Sequence, residues 1–156
     1  MTASDGGECQ ALDPLRLDLQ LCFALYSASN QMTRLYRPLL QPLGLTYLQY
    51  LALLALWERA PLSFGDISRR LGLDSGTLTP LFKRMEAAGL ITRTRDRADE
   101  RRVTIDLTAK GRDLRARAVA VPPAVLGQIP MPFEQIAALK VTVEKLVGAL
   151  RAAEGA

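Results

Sequence analysis

Apolar side chains recur every three or four positions along most of this chain, which is the spacing of one face of an α-helix. Proline, glycine or a capping hydroxyl separates one such stretch from the next. The pattern predicts a mainly α protein in which one short alternating segment interrupts the helices. The predicted helices cover about residues 14–40, 47–59, 64–71, 75–90, 109–119 and 133–152.

Two short predicted helices in the middle of the chain are joined by a glycine. Ser63 can cap the first helix, residues 64–71, and Gly72 ends it. Asp74 or Ser75 can cap the second. Two helices joined in this way are typical of a helix-turn-helix, whose second helix lies in the major groove of DNA.

Short hydroxyl side chains mark the start of the second helix, and two cations follow one turn later. Hydroxyls can contact base edges or phosphates, and cations suit phosphates. An ordinary solvated helix start has the same composition, so this pattern alone leaves both interpretations open. The candidate DNA-facing residues are Ser75, Thr77, Thr79, Pro80, Lys83 and Arg84.

Two alternating, β-branched runs follow, residues 91–95 and 102–107, and they predict a β-hairpin. Residues 93–102 hold five arginines, among them Arg95, against three acidic residues. A basic hairpin tip can enter the minor groove of DNA, whereas a solvated hairpin with internal ion pairs is the alternative. The position directly after a helix-turn-helix favours a DNA-binding wing over about residues 91–107.

The first predicted helix, about 27 residues long, has an apolar face that extends beyond what one small core can cover. The last predicted helix is amphipathic, and a proline-rich connector at about residues 122–132 precedes it. A turn is predicted at residues 60–62. A second copy of the chain is the simplest cover for the long helices, so we expect an intertwined homodimer. Its dimerisation helices would be 14–45 and 108–152, and its winged helix-turn-helix 46–107.

Composition narrows the function classes. The chain has 156 residues, 49% hydrophobic and 23% charged, which suits one domain at 14–156 after a flexible tail at 1–13. A net charge of +4 is compatible with a nucleic-acid partner without identifying one. With no histidine and two cysteines, Ser-His-Asp and Cys-His catalysis are excluded, and we expect no metal or cofactor.

The N-terminal residues are polar and lack the regions of a signal peptide, which favours a reducing cytoplasm. The uncharged segment 38–57 is interrupted by polar residues, proline and glycine. Its continuous apolar part is too short to cross a bilayer. We therefore expect a cytoplasmic protein without a membrane partner.

Cys22 lies in the first predicted helix on a face that also carries hydroxyl groups. Hydroxyl donors near a sulfur favour the thiolate, the form that peroxides attack. The alternative is that Cys22 is a small buried hydrophobic residue, the commonest role of a free cysteine. The other residues on that face are Leu25, Tyr26, Ser29, Met32, Thr33 and Tyr36.

Together these segments resemble the MarR family of winged helix-turn-helix regulators. The resemblance covers about residues 15–150 and rests on the helix order, the recognition segment Leu-Asp-Ser-Gly-Thr-Leu-Thr-Pro at 73–80 and the wing pattern at 95–111. The stretch Leu-Cys-Phe-Ala-Leu-Tyr at 21–26 resembles the organic hydroperoxide-resistance (OhrR) type within that family. The resemblance implies a homodimeric repressor of double-stranded operator DNA, not an enzyme.

For the thiol, the resemblance implies that Cys22 is the peroxide-reactive cysteine. It also implies that Tyr36 and Tyr47 hydrogen-bond the sulfur from the other subunit and that Tyr26 lies nearby. Helix geometry independently supports the contact between subunits. Cys22 and Tyr36 are 14 residues apart in the sequence, which is about 21 Å along one helix.

For DNA, the resemblance implies wing-tip contacts by Asp99 and Arg101, with Asp99 orienting the arginine. Some members carry a second, resolving cysteine near the position of Gly127, and this chain has none there. We therefore expect oxidised Cys22 to condense with a low-molecular-weight thiol or a backbone nitrogen, with Cys9 as the other candidate.

The expected function is a repressor that binds a pseudo-palindromic operator while Cys22 is reduced and releases it when an organic hydroperoxide oxidises Cys22. Three alternatives stay open. They are a MarR-type repressor released by a small aromatic ligand, a thiol peroxidase that uses Cys22, and a dimeric interaction module without a DNA role.

Overall fold

The computed structural model describes residues 13–95 and 102–154, and the chain divides between Ala118 and Val119 into two compact units. Short 3-10 turns occupy Leu17–Leu19 and Gln41–Leu43. The strands are β1 (Leu62–Ser63), β2 (Ile91–Arg95) and β3 (Val103–Leu107). The helices are α1 (Leu21–Leu40), α2 (Tyr47–Glu58), α3 (Phe64–Leu71), α4 (Ser75–Ala87), α5 (Ala109–Ala118), α6 (Val121–Leu126) and α7 (Phe133–Glu154).

The predicted caps explain where the helices of the helix-turn-helix begin. Thr46 starts α2 with a reciprocal capping box, and Ser63 caps α3. The Asp74 carboxylate accepts the backbone N–H of Thr77 at 2.7 Å, so Asp74 rather than Ser75 is the cap of α4. Both helices of the predicted helix-turn-helix are confirmed.

The predicted hairpin is part of a three-stranded antiparallel sheet with the strand order β1-β3-β2. β2 pairs with β3 in a register that places Arg95 opposite Val103. β1 adds Leu62 opposite Ile105. The prediction of a turn at 60–62 was therefore wrong for Leu62, because a two-residue strand is too short to show alternation in the sequence.

Helix α1 begins later than predicted. The prediction started it near Pro14, whereas α1 begins at Leu21. Gln20 has an extended backbone, and its side-chain amide donates to the carbonyl oxygens of Pro14 (2.7 Å) and Arg16 (3.0 Å). This local hydrogen bonding competes with a continuous helix and separates the preceding turn from α1.

Two further boundaries differ from the prediction. Helix α4 ends at Ala87 rather than near residue 90, because Gly89 takes a left-handed φ of 71° and the Leu90 amide closes the turn. The predicted proline connector contains α6. Pro122 and Pro123 lie in the first turn of α6, where a missing N–H removes no helical hydrogen bond.

The core of the first unit lies between α2, α4 and the sheet, and its largest fully buried side chains are Tyr50 and Phe82. The Trp57 indole donates to the carbonyl of Gly111 at 2.8 Å, which ties α2 to α5. A Cβ at Gly111 would lie 2.1 Å from the carbonyl oxygen of Leu90. Glycine is therefore required where α5 crosses the turn between α4 and β2.

The long helices carry apolar side chains that remain exposed. Helix α1 buries only Leu40, and no residue of α7 is buried. Such large unpartnered apolar surface marks an interaction face. On α7 the exposed apolar residues are Phe133, Leu139, Val141, Val147 and Leu150.

Within residues 13–95 and 102–154, no single helix has the length and hydropathy to span a membrane. One pair, Leu21–Leu43 with Tyr47–Glu58, is bent by 73° and could do so by length and composition alone.

Candidate DNA-reading face and thiol site

Helix α4 has one buried face and one accessible face. Leu78, Leu81, Phe82 and Met85 are buried in the core. The side chains predicted to face DNA lie on the other side of the helix or at its edges. Of these, Ser75, Pro80, Lys83 and Arg84 are exposed, and Thr77 and Thr79 are half-buried.

The base of the wing lies beside the start of α4. Ser75 and Thr79 border a shallow cavity of about 520 Å³ together with Arg102, which directly precedes β3. Arg95 is exposed at the end of β2. The predicted wing-tip contacts Asp99 and Arg101 lie outside the described residues, as does Cys9.

An ion pair connects α4, which is the second helix of the helix-turn-helix and hence its recognition helix, to the wing. Arg93 of β2 donates from Nε (2.8 Å) and Nη2 (2.5 Å) to the same carboxylate oxygen of Glu86. The hydrogen bond from Arg93 holds the pKa of the Glu86 carboxyl below its usual range, so Glu86 is a carboxylate at neutral pH. Neither residue was predicted to belong to the site. Hydrophobic periodicity relates residues within one helix or one strand, so it does not reveal a contact between the end of α4 and the strand that follows the turn.

Cys22 is exposed near the N-terminus of α1, which excludes the interpretation that it is buried within its own chain. Tyr26 follows one helical turn later and is 65% exposed. Because α1 is continuous from Leu21 to Leu40, the separation of about 21 Å along the helix axis between Cys22 and Tyr36 holds. The structure therefore does not bring Cys22 and Tyr36 together within one chain.

The two tyrosines predicted to hydrogen-bond the Cys22 sulfur contact each other. The rings of Tyr36 and Tyr47 have centroids 4.9 Å apart at 47°. Tyr50 lies 5.6 Å from Tyr36, and Trp57 lies 6.4 Å from Tyr50. Tyr50 was not predicted as part of this cluster, although its position three residues after Tyr47 on one helix was a usable signal.

The two half-buried phenols are suited to donate hydrogen bonds. Burial raises the pKa of Tyr36 and Tyr47 above the usual value, and for Tyr47 the neighbouring Tyr36 raises it further. Both hydroxyls therefore stay protonated at neutral pH and can donate to an anionic sulfur.

An open cavity of about 990 Å³ lies between α1, α2 and α4. Its walls include Thr33, Arg37, Tyr47, Leu51 and Arg84, so the described residues contribute two guanidinium groups to it and no acidic side chain. Among the residues that the structure describes, no group of Cys, Asp or Glu side chains is arranged to hold a metal ion.

Comparison with known proteins identifies related regulators. A family model described as transcriptional regulator SarA/Rot matches residues 34–117. The organic hydroperoxide resistance transcriptional regulator of Bacillus subtilis (strain 168) is 48% identical over 138 residues, which cover 88% of this chain and 94% of that protein.

Solved structures of AbfR of Staphylococcus epidermidis are similar in fold and sequence. Reduced AbfR bound to DNA has a TM-score of 0.75 at 38% identity, over 88% of this chain and 94% of AbfR. Overoxidised AbfR bound to DNA (TM-score 0.67, 38% identity, 84% and 95% covered) and disulfide-formed AbfR (0.60, 38%, 85% and 93%) are also similar.

Proposed function

Because this chain belongs to the MarR family of winged helix-turn-helix transcriptional regulators, and within it to the organic hydroperoxide-resistance type, we propose that it is a thiol-based redox repressor. In this proposal the reduced homodimer binds a pseudo-palindromic operator, and oxidation of Cys22 releases the operator. The observation that carries it is an exposed thiol on α1 together with two phenols, Tyr36 and Tyr47, in contact with each other.

The proposal requires two copies of the chain. If two α1 helices cross in antiparallel fashion about a two-fold axis, Tyr36 and Tyr47 of one protomer can reach Cys22 of its partner. The exposed apolar faces of α1 and α7 support such a dimer, since each would otherwise remain in water. Tyr26, on the same α1 face as Cys22, completes the phenolic surroundings of the sulfur.

The proposed reaction at Cys22 has two steps, oxidation of the thiolate and then formation of a mixed disulfide. The thiolate sulfur attacks the terminal oxygen of an organic hydroperoxide and the O–O bond breaks. Cys22 becomes a sulfenic acid, and the leaving alkoxide takes a proton from water to become an alcohol. A low-molecular-weight thiol then attacks the sulfenic sulfur, a mixed disulfide forms, and water leaves. Hydrogen bonds donated by Tyr36 and Tyr47 stabilise the attacking thiolate.

The adduct, rather than sulfur oxidation alone, is proposed to cause release. AbfR has been solved on DNA in both a reduced and an overoxidised form, so oxidation as such is compatible with DNA binding in that relative. A mixed disulfide adds several atoms to a packed interface. Protein interfaces tolerate such overpacking poorly and repack instead, which changes the spacing between the α4 helices of the two protomers.

On DNA, the two α4 helices are proposed to lie in successive major grooves, while the wings reach the flanking minor grooves. Ser75, Thr77 and Thr79 would meet bases or phosphates, and Lys83 and Arg84 would meet phosphates. Pro80 would contact the groove wall without donating a hydrogen bond. On the wing, Arg95, Asp99 and Arg101 are the proposed contacts.

The deciding experiment compares wild type with Cys22→Ser in DNA binding at fixed salt. Each protein is treated with a stoichiometric organic hydroperoxide plus a small thiol, and then with dithiothreitol. We expect release from wild type alone and recovery with dithiothreitol. Release of both proteins, or of neither, would show that Cys22 is not the sensor.

The cavity beside Tyr47 favours one second candidate, a repressor released by a small aromatic acid. Arg37 and Arg84 could bind a carboxylate while Leu48 and Leu51 contact the ring. Arg84 is also a candidate DNA contact, so a ligand there would compete with DNA binding. An aromatic carboxylate that releases DNA from Cys22→Ser would support this candidate.

A further inference from the structure

We infer that Glu86 is a positioning residue for DNA recognition: by holding Arg93, it fixes the wing against the recognition helix so that both contact DNA in one geometry. The inference rests on the DNA-binding part of the proposed function and does not depend on Cys22. Glu86 is negatively charged, so we do not expect it to contact the phosphates of DNA itself.

The geometry directs Arg93 toward α4. Ile91 and Arg93 are two residues apart on β2 and therefore share a face of the strand, and Ile91 is buried. Arg93 follows on this face and reaches Glu86 with two N–H groups on one oxygen. Its guanidinium is therefore fixed on the helix and unavailable as a free phosphate ligand.

This ion pair differs from the others that the described residues form. Its side chains are 30% and 38% exposed, the lowest combination among those pairs. It is also the pair that joins α4 to the wing. The remaining pairs lie within one local segment or connect α2 to α3 and α5 to β3.

The orientation of the wing depends on contacts between β2 and α4. Among the residues that the structure describes, β2 is an edge strand of the sheet and pairs with β3 on one side. Past Arg93, the strand continues to Thr94 and Arg95, which are both exposed. The Glu86–Arg93 contact is thus the last side-chain hydrogen bond that the described part of β2 makes to α4 before the arginine that is proposed to contact DNA.

The sign of the charge makes the inference testable. A carboxylate near a DNA-binding surface repels phosphates, so simple electrostatics predicts that Glu86→Gln tightens DNA binding. A positioning role predicts the opposite, because the wing then loses its orientation. We expect Glu86→Gln to weaken binding about two- to fivefold, the size of one well-formed, partly exposed ion pair.

The experiment uses full-length reduced protein and the duplex that wild type enriches from a random-sequence pool. Affinity, its salt dependence and hydroxyl-radical footprints are measured for Glu86→Gln, Arg93→Gln, the double variant Glu86→Gln/Arg93→Gln and the charge exchange Glu86→Arg/Arg93→Glu. Glu58→Gln is the matched control, since it neutralises the acid of an exposed ion pair with Arg70 that joins α2 to α3 and does not include a wing residue. Circular dichroism at the assay temperature checks that each variant is folded.

We expect the two single variants to lose protection at the flanks of the footprint while the central major-groove protection remains. The double variant should be no weaker than either single one, because the coupling is shared. Restored affinity in the charge exchange would further support the ion pair. Tighter or unchanged binding by Glu86→Gln, additive losses, or an equal loss by Glu58→Gln would overturn the inference. If wild type enriches no duplex, the proposed DNA-binding function itself fails.

Discussion

At the scale of single residues, the proposed sensor depends on phenol hydroxyls rather than on charged neighbours of the sulfur. Tyr36 and Tyr47 are in contact, and burial keeps both protonated. We expect Tyr47→Phe to slow oxidation of Cys22 by about tenfold, because one hydrogen bond to an anion is lost. The measurement is the rate of thiol loss under cumene hydroperoxide at neutral pH.

Tyr50→Phe is the matched control for this prediction, since Tyr50 packs on Tyr36 but is fully buried in α2. Its rate should stay near that of wild type. An equal slowing in both variants would indicate that packing of the aromatic cluster, and not the Tyr47 hydroxyl, sets the reactivity.

Another residue-scale prediction concerns the cap of the recognition helix. The backbone N–H of Thr77 holds the pKa of the Asp74 carboxyl below its usual range. A group whose pKa is lowered by folding stabilises the protein above its unfolded pKa, about 4, and loses that contribution as the pH falls through the folded value. Thermal midpoints of Asp74→Asn should therefore lie a few degrees below wild type at pH 7 and approach it in acid.

Asp74→Ala, which removes the acceptor as well as the charge, should remain less stable than wild type at every pH. A gap between wild type and Asp74→Asn that is constant with pH would contradict the role given to the carboxylate.

At the scale of helices and strands, Gly111 allows the close contact between α5 and the turn that joins α4 to β2. An added Cβ would meet the Leu90 carbonyl oxygen at 2.1 Å, a backbone atom that cannot swing away. We expect Gly111→Ala to destabilise the protein by about 2 kcal/mol or more, by overpacking. Urea unfolding measures the change.

Gly148→Ala is the control, because a Cβ there meets nothing within 4 Å and the position is inside α7. It should stabilise the protein by about 0.5–1 kcal/mol through helix propensity. If both substitutions instead change the free energy of unfolding by a similar amount in the same direction, the contact with the Leu90 carbonyl does not explain the effect of Gly111→Ala.

The elements that the sequence predicted correctly have strong local signals. Thr46, Ser63 and Asp74 each place a side-chain acceptor three residues before a free N–H, which is visible without tertiary structure. The late start of α1 was not predictable in this way, because it depends on Gln20 folding back onto two carbonyls. Strand β1 is defined by its partner β3, and no pattern within two residues reveals that.

At the scale of the whole molecule, the proposed dimer follows from apolar surface that one chain leaves exposed. Leu139 on α7 is 53% exposed. Leu139→Glu should weaken dimerisation by about a hundredfold or more, since each interface would bury two copies of the change at about 1.5–3 kcal/mol each. Sedimentation equilibrium gives the dimer constant, and DNA affinity should fall with it.

Lys145→Glu changes an exposed charged position of the same helix and serves as its control. It should leave the dimer constant within a few-fold of wild type. Unchanged assembly of Leu139→Glu would show that this part of α7 lies outside any dimer interface.

The candidate site was only partly predictable at this scale. The stripe of Cys22, Tyr26 and Tyr36 follows from helical spacing alone. The meeting of Tyr36 with Tyr47 depends on how α2 packs against α1, and the pairing of Glu86 with Arg93 depends on the angle between a helix and a strand. Such contacts are set by tertiary packing, which sequence spacing does not encode.

Trp57, which donates its indole N–H to the Gly111 carbonyl, is an intrinsic fluorescent reporter of the first unit. The chain contains a single tryptophan, so its emission comes from the junction of α2 and α5 in the first unit. The far-ultraviolet circular dichroism signal, by contrast, includes the long helix α7 of the second unit. Unfolding curves recorded by the two methods coincide if the units unfold together and separate if they do not, and neither method needs a dye or label on Cys22.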